Sequence, residues 1–389
     1  MVDERSAGGR LLPPATPFEH WVQSEGLKVI TRHTIPDILT EALEPWERTG
    51  CSAALLDLTH DPSDRAIITN QGTIRYLVEI PPGGTFKAEK HMYEEIFYVA
   101  KGRGAAAVWY EGSPKRNFEW QEDSAFAIPL NAWHEIYNGS GTETARLYAA
   151  TNMPTPINLY GSPEFVFNST ATFPDRFDPN DEMYFSGKST KLADRLTQSN
   201  LIPSVLRMAL DPWSPRGPGS NMYVVMAGGR FVCHVSEFPV GTYKKAHGFH
   251  GAGRGEGSAG APTRRGLVSE TSYLFLSGDG YDLQWPPDVE PGPGVDWTRC
   301  DFKKGSLMTN GLGGHQHFNA SSEPARYLVL HYGNPSFGAG GGTGNRRSSR
   351  ASDEPSRTQI EYEDEDPRIR ALFEEECGKR GVTCEMPVP

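Results

Sequence analysis

The chain of 389 residues is poor in cysteine: Cys51, Cys233, Cys300, Cys377 and Cys384 are scattered, odd in number and form no Cys-x-x-Cys pair. That argues against a disulfide framework or a zinc knuckle and suits a reducing, cytoplasmic setting. No run of 18 apolar residues exists, so no membrane-spanning helix is expected, and the opening residues lack the apolar core of a secretory leader. Basic charge is also short: 38 Lys and Arg stand against 49 Asp and Glu, a net charge of −11. This excludes nucleic acid and anionic membrane from the expected partners. The glycine-rich stretch 251–260 lacks G-x-x-x-x-G-K-[ST], so it is not a phosphate loop.

What is abundant is glycine, with 42 residues, and proline, with 31. Both favour short strands joined by turns over long helices. The chain also repeats itself. Glu79-Ile-Pro-Pro-Gly-Gly-Thr85 returns as Glu237-Phe-Pro-Val-Gly-Thr242. Asn138-Gly-Ser-Gly-Thr-Glu-Thr-Ala-Arg-Leu147 returns as Asn319-Ala-Ser-Ser-Glu-Pro-Ala-Arg-Tyr327. The spacing between copies grows from 158 positions (Glu79 to Glu237) to 181 (His134 to His315). A Gly/Arg/Ser-rich insertion at 251–266 accounts for most of the difference. Two long copies mean two domains of one fold, not a solenoid.

Each copy reads as β. Apolar or alternating runs at 74–80, 96–99, 105–109 and 126–128 are matched by 231–238, 273–276, 306–308 and 327–331. The expected organisation is an N-terminal extension (1–50), a first β domain (51–155), a linker with a helix over 190–209 (156–222), a second β domain (223–335), and a tail (336–389). The tail begins as a glycine hinge at 338–344, continues through an acidic run at 361–366, and ends in a helix from Pro367. Ile360, Tyr362, Ile369, Leu372 and Phe373 give it an apolar side, so it should pack on the body. Arg146 and Arg326 recur in the repeat and are expected to form structural ion pairs. Asn138 and Asn319 are expected to be turn residues, and Glu94 a surface residue or a neighbour of the site.

The chemistry gathers in histidine and glutamate at fixed spacing. Copy one carries His91, Glu95 and His134, the last closing Pro129-Leu-Asn-Ala-Trp-His134, with Glu89 two residues before His91. In copy two, Gly241 leads to His247, with His250 three residues on, and Gly305 leads to His315 and His317. Residues two apart on a strand point the same way, so such spacing puts donors on one inner face. Mixed imidazole and carboxylate donors suit Fe, Mn, Ni, Co or Zn.

These motifs resemble the cupin superfamily, whose paired His-x-His…Glu and Pro-x-Gly…His motifs hold one divalent metal inside a jelly-roll barrel. Glu89 stands where that family usually has a histidine. The run His91 to Ile96 and the run His315 to Leu328 also resemble a set of bacterial bicupins, over roughly Phe18 to Val382. The resemblance implies an all-β fold of two tandem jelly-roll barrels with a helical linker and a C-terminal helix. Gentisate-type dioxygenases and oxalate-decarboxylase-type enzymes share the two-barrel plan. It further implies a divalent metal, Fe(II) first and Mn, Ni, Co or Zn as alternatives. The cluster of His247, His250, His315 and His317 makes the second barrel its expected main holder. Glu95 and Glu270 are the candidate acid/base residues. The expected function is a dioxygenase acting on a small chelating aromatic or enolic molecule. The alternatives are a Lewis-acid decarboxylase, lyase or isomerase, and a non-catalytic binding protein. A homodimer or larger homo-oligomer is expected.

Overall fold

The computed structural model describes residues 15–58, 68, 72–247, 272–286, 289, 291–309, 314–332 and 359–386. The hinge at 338–344, the insertion at 251–266, and the candidates His250 and Glu270 lie outside them.

The repeated β pattern becomes two barrels, each a large sheet facing a four-stranded one. In the first, the large sheet runs Val29–Ile30, Cys51–Leu56, Ile74–Ile80, Ala145–Thr151, Glu95–Lys101, Ala125–Ile128, Leu201–Ile202, with Glu44–Trp46 beside Cys51–Leu56. Its small sheet runs Thr85–Glu89, Trp133–Asn138, Arg103–Trp109, Arg116–Gln121. In the second barrel the core of the large sheet is Ser220–Val225, Phe231–Phe238, Ala325–Tyr332, Ser272–Ser277, Leu307–Thr309. Its small sheet runs Thr242–Tyr243, His315–Asn319, Gly280–Gln284, Thr298–Phe302.

Strand alternation explains the packing. Tyr76, Val78 and Ile80 point into the first barrel, whereas Leu77 joins a separate apolar layer with Ala54, Leu56, Ile96, Val224, Cys233, Leu274, Leu328 and Leu330. That layer contains residues of both large sheets, which therefore pack back to back. Burial on both faces is why these strands read as nearly continuous apolar runs.

The two large sheets also exchange edges. Thr34–Ile35, from the N-terminal extension, pairs with Leu307 and Met308 of the second barrel. Leu201–Ile202, from the connection between barrels, pairs with Ala125 and Phe126 of the first. The recurring arginines fasten these crossings. Arg146 bonds Glu79 at 2.8 Å and the carbonyls of Ile38 and Glu41. Arg326 bonds Glu237 at 2.8 Å and the carbonyls of Val205, Leu206 and Met208. The asparagines match as well: each donates to three carbonyls, Asn138 to Ile80, Pro81 and Glu143, Asn319 to Phe238, Pro239 and Glu323. Gly102 and Gly278 occupy equivalent bends at positive φ, where a Cβ would come within 2.8 Å of Ala145 and 2.7 Å of Ala325.

One expectation fails. The connection does carry helices, at Pro154–Tyr160 and Pro163–Asn168, but residues 190–209 form short strands and turns with no helix. Thr190–Ala193 and Leu196–Gln198 form a hairpin whose turn places Arg195 at φ 57°. Pro203 then removes a donor that a helix would need. The helix-like leucine spacing is incidental: Leu192 and Leu206 are exposed.

The C-terminal helix is Pro367–Arg380. Asp366 caps its start, Gly381 ends it in the left-handed conformation, and Lys379 and Arg380 sit at its negative end. Ile369, Phe373 and Cys377 pack on Tyr243, Tyr281, Leu283 and Phe318, the outward face of the second barrel's small sheet. Ile360, Tyr362 and Leu372 join the same cluster. No described helix is long and apolar enough to cross a membrane.

Candidate metal centre

In the first barrel four predicted donors converge. Glu89 ends its strand opposite His134 on the neighbouring one, His91 follows in the next loop, and Glu95 opens a strand of the facing sheet. All four are buried, His134 and Glu95 almost completely. One donor atom from each of Glu89, His91 and His134 lies within 4.8 Å of the other two. Glu95 Oε2 is 3.3 Å from His91 Nε2 and 3.9 Å from His134 Nε2, and Glu89 Oε1 is 3.9 Å from the same His134 nitrogen.

Backbone bonds set the ring orientations. His91 Nδ1 lies 2.9 Å from the Tyr93 carbonyl, and its ring stacks on Tyr93 at 3.5 Å. His134 Nδ1 lies 3.4 Å from the Ala132 carbonyl. With Nδ1–H donating, each ring turns a bare Nε2 inward, the tautomer a metal requires. Tyr76 donates to Glu95 Oε1 at 2.8 Å, which leaves Oε2 facing the histidines.

Electrostatics agree. Burial pushes the Glu89 carboxyl up to about 7; the neighbouring Glu95 adds to the rise, and His91 opposes it. Burial, reinforced by His91, holds the His134 imidazole well below its ordinary range. Among the described residues His134 Nε2 and Glu89 Oε2 have no hydrogen-bond partner. Bare nitrogens facing carboxylates, with orphaned buried atoms between them, are what a divalent cation would satisfy. The donor set fits such an ion.

The second barrel brings together His247, His315 and His317, with ring centroids 4.3 Å apart for His247–His315 and 4.9 Å for His315–His317. His247 bridges to His315 as Glu89 pairs with His134, so these two occupy equivalent positions. The donors are differently engaged here. His315 Nε2 is 2.8 Å from the Tyr273 hydroxyl, and His317 Nδ1 is 2.7 Å from Asp282 Oδ1. The buried carboxylate Asp282 belongs to no sequence motif; only its strand pairing with His317 reveals it.

Glu94, expected at the surface or beside the site, is buried. It bonds Arg176 at 2.9 Å and the Arg230 amide at 2.8 Å, tying the barrels together next to Glu95.

Residues 76–151 match the cupin domain family. Among curated proteins, maize (Zea mays) auxin-binding protein 4 is 26% identical over 122 residues, 28% of this chain and 59% of that protein. Tobacco (Nicotiana tabacum) auxin-binding protein T85 is 28% identical over 102 residues, 25% of this chain and 54% of that protein. The chain thus spans little more than half the length of these relatives. Among solved structures, Bacillus subtilis oxalate decarboxylase at pH 4.6 superimposes with a TM-score of 0.45 at 10% identity, over 85% of this chain and 86% of that one. A second structure of that enzyme, from work on its Mn(II) centres, gives 0.45 at 11% identity, over 85% and 87%.

Proposed function

On the premise that the chain is a two-barrel cupin, we propose that it is a divalent-metal enzyme whose centre lies in the first barrel. We propose further that it acts on a small carboxylate or enol as a decarboxylase, lyase or isomerase. The observation that carries this is the convergence of His91, His134, Glu95 and Glu89. Two carboxylates and two imidazoles make a hard, anionic set suited to Mn or Fe. When bound, such an ion supplies Lewis-acid stabilisation of negative charge on a substrate oxygen.

The protein's own groups divide the remaining work. Tyr76 fixes Glu95, and His91 uses its other oxygen, so Glu95 is better suited to ligation than to proton transfer. Glu89 Oε2 has no partner among the described residues. With Oε1 turned toward His134 and the ion position, Oε2 is the atom placed to accept a hydrogen bond from a substrate hydroxyl. Apolar neighbours such as Phe86 and Phe97 exclude water from below the ligands.

A second reading rests on His91, Glu95 and His134 alone. Two histidines and one carboxylate suit Fe(II) oxygen chemistry, hence a dioxygenase. Assay of the metal-loaded protein on small carboxylic and enolic acids separates the two. Carbon dioxide or isomer formation without oxygen uptake supports the first reading. Oxygen consumed in proportion to turnover moves the assignment to the second.

A further inference from the structure

The two barrels differ most one step below the metal-ligand positions. In the first barrel, Phe86, Ile136 and Ala106 lie side by side on three neighbouring strands of the small sheet, all apolar and all fully buried. In the second barrel the equivalent row is Lys244, His317 and Asp282. The Lys244 amide donates to the His317 carbonyl, as the repeat demands, and His317 pairs directly with Asp282. Neighbouring Tyr243 and Phe318 point outward to the C-terminal helix, so the polar row faces the barrel interior.

A polar row in such a place is expensive. Lys244, His317 and Asp282 are 2%, 0% and 0% exposed. Lys244 Nζ bonds the Pro218 carbonyl at 2.9 Å and lies 5.6 Å from the Phe238 ring, itself beside His317. No carboxylate pairs with this lysine among the described residues, and the charged neighbour it feels, Arg216, is another cation. Asp282 is already engaged through Oδ1 with His317 Nδ1, which orients that ring and leaves its Nε2 facing the interior. Among the described residues His317 Nε2 and Asp282 Oδ2 have no partner. The row thus offers a buried amine that burial, with Arg216 beside it, lowers to about 7, an unused imidazole nitrogen and an unused carboxylate oxygen on one inward face of the small sheet.

We propose that this row is a second binding site, distinct from the first-barrel metal centre, for a small carboxylic acid that also carries a hydroxyl group. The carboxyl group pairs with the Lys244 amine. The hydroxyl donates its one proton to Asp282 Oδ2, beside the His317 ring that holds that carboxylate. A simple carboxylate lacks that donor and leaves Asp282 unsatisfied, so it binds more weakly.

The test uses the full chain and measures binding of glycolate and acetate by calorimetry. Wild type is expected to bind glycolate at least tenfold more tightly than acetate. Lys244→Met should abolish measurable binding of both. A combined Lys244→Met, His317→Ile, Asp282→Ala variant imitates the apolar row that already packs in the first barrel. It should also fail to bind, while its melting temperature in buffer rises because unsatisfied buried polar groups are gone. First-barrel metal content serves as the control for folding and should not change. Glycolate binding that survives in the combined variant would overturn the proposal, as would wild type binding neither acid. So would loss of bound divalent metal, with no effect on glycolate, on replacing the row.

Discussion

At the scale of single residues, each His134 contact has a consequence for metal retention. Its Nε2 is the point where Glu89 and Glu95 both converge, so His134→Ala removes a donor that no neighbour replaces. Bound first-barrel metal should fall at least tenfold, read by elemental analysis after dialysis. The extra stability that metal confers, about 2.7 kcal/mol at a hundredfold excess over Kd, should vanish with it. Full metal content in this variant would remove the basis for placing the centre there. Glu89, His91, Glu95 and His134 could be singled out in the sequence because their run resembles a motif of fixed spacing, counted from Gly83 and Gly102. Asp282 was not, because its partner His317 lies 35 positions away and only cross-strand register joins them. For Glu94 the sequence left surface and site neighbour both open, because its partner Arg176 comes from a segment with no motif.

At the scale of elements, the C-terminal helix behaves as part of the second barrel. Phe373 is fully buried against Tyr243 and Phe318. Phe373→Ala should cost about 3–5 kcal/mol in denaturant unfolding, the range for a lost core aromatic. A cost near zero would mean that the helix is an appendage. The cap adds a pH signature. The side-chain bond from Arg368 holds the Asp366 carboxyl down to about 2. Because this value lies below the ordinary aspartate range, the stability it lends is complete above that range and is lost as pH falls through about 2. Asp366→Ala should therefore destabilise by about 1 kcal/mol near neutrality. The gap to wild type should close as pH drops from about 4 to about 2, followed by circular dichroism; a gap that widens would contradict the assignment. The packing of this tail was readable from its apolar side. The strand-and-turn path of residues 190–209 was not: leucine spacing is a local signal, whereas the pairing of Leu201 and Ile202 with a strand some 75 positions earlier is not.

At the scale of the whole molecule, the paired arginines report on a shared design. Arg146 and Arg326 each hold a glutamate and the carbonyls of a crossing segment. Replacing either with Ala leaves buried carbonyls without a donor and should cost about 1–3 kcal/mol, similar for both. A large difference between the two variants would show that the crossings are not equivalent. A first barrel expressed without residues beyond 189 lacks the Leu201–Ile202 edge and exposes the apolar layer shared with its twin. Such a fragment should bind a hydrophobic dye and melt well below the full chain. The repeat itself revealed two barrels of one kind, but the exchange of edges between them lies in short strands of two residues that leave no pattern.

That exchange sets a schedule for biosynthesis. Thr34–Ile35 leaves the ribosome about 270 residues before its partner Leu307. At roughly 5–20 residues per second this segment waits on the order of 14–54 seconds with its backbone unpaired. The first barrel meanwhile gains its own last strand once residue 202 has emerged, so the nascent chain passes through a stage with one barrel nearly closed and its N-terminal arm still free.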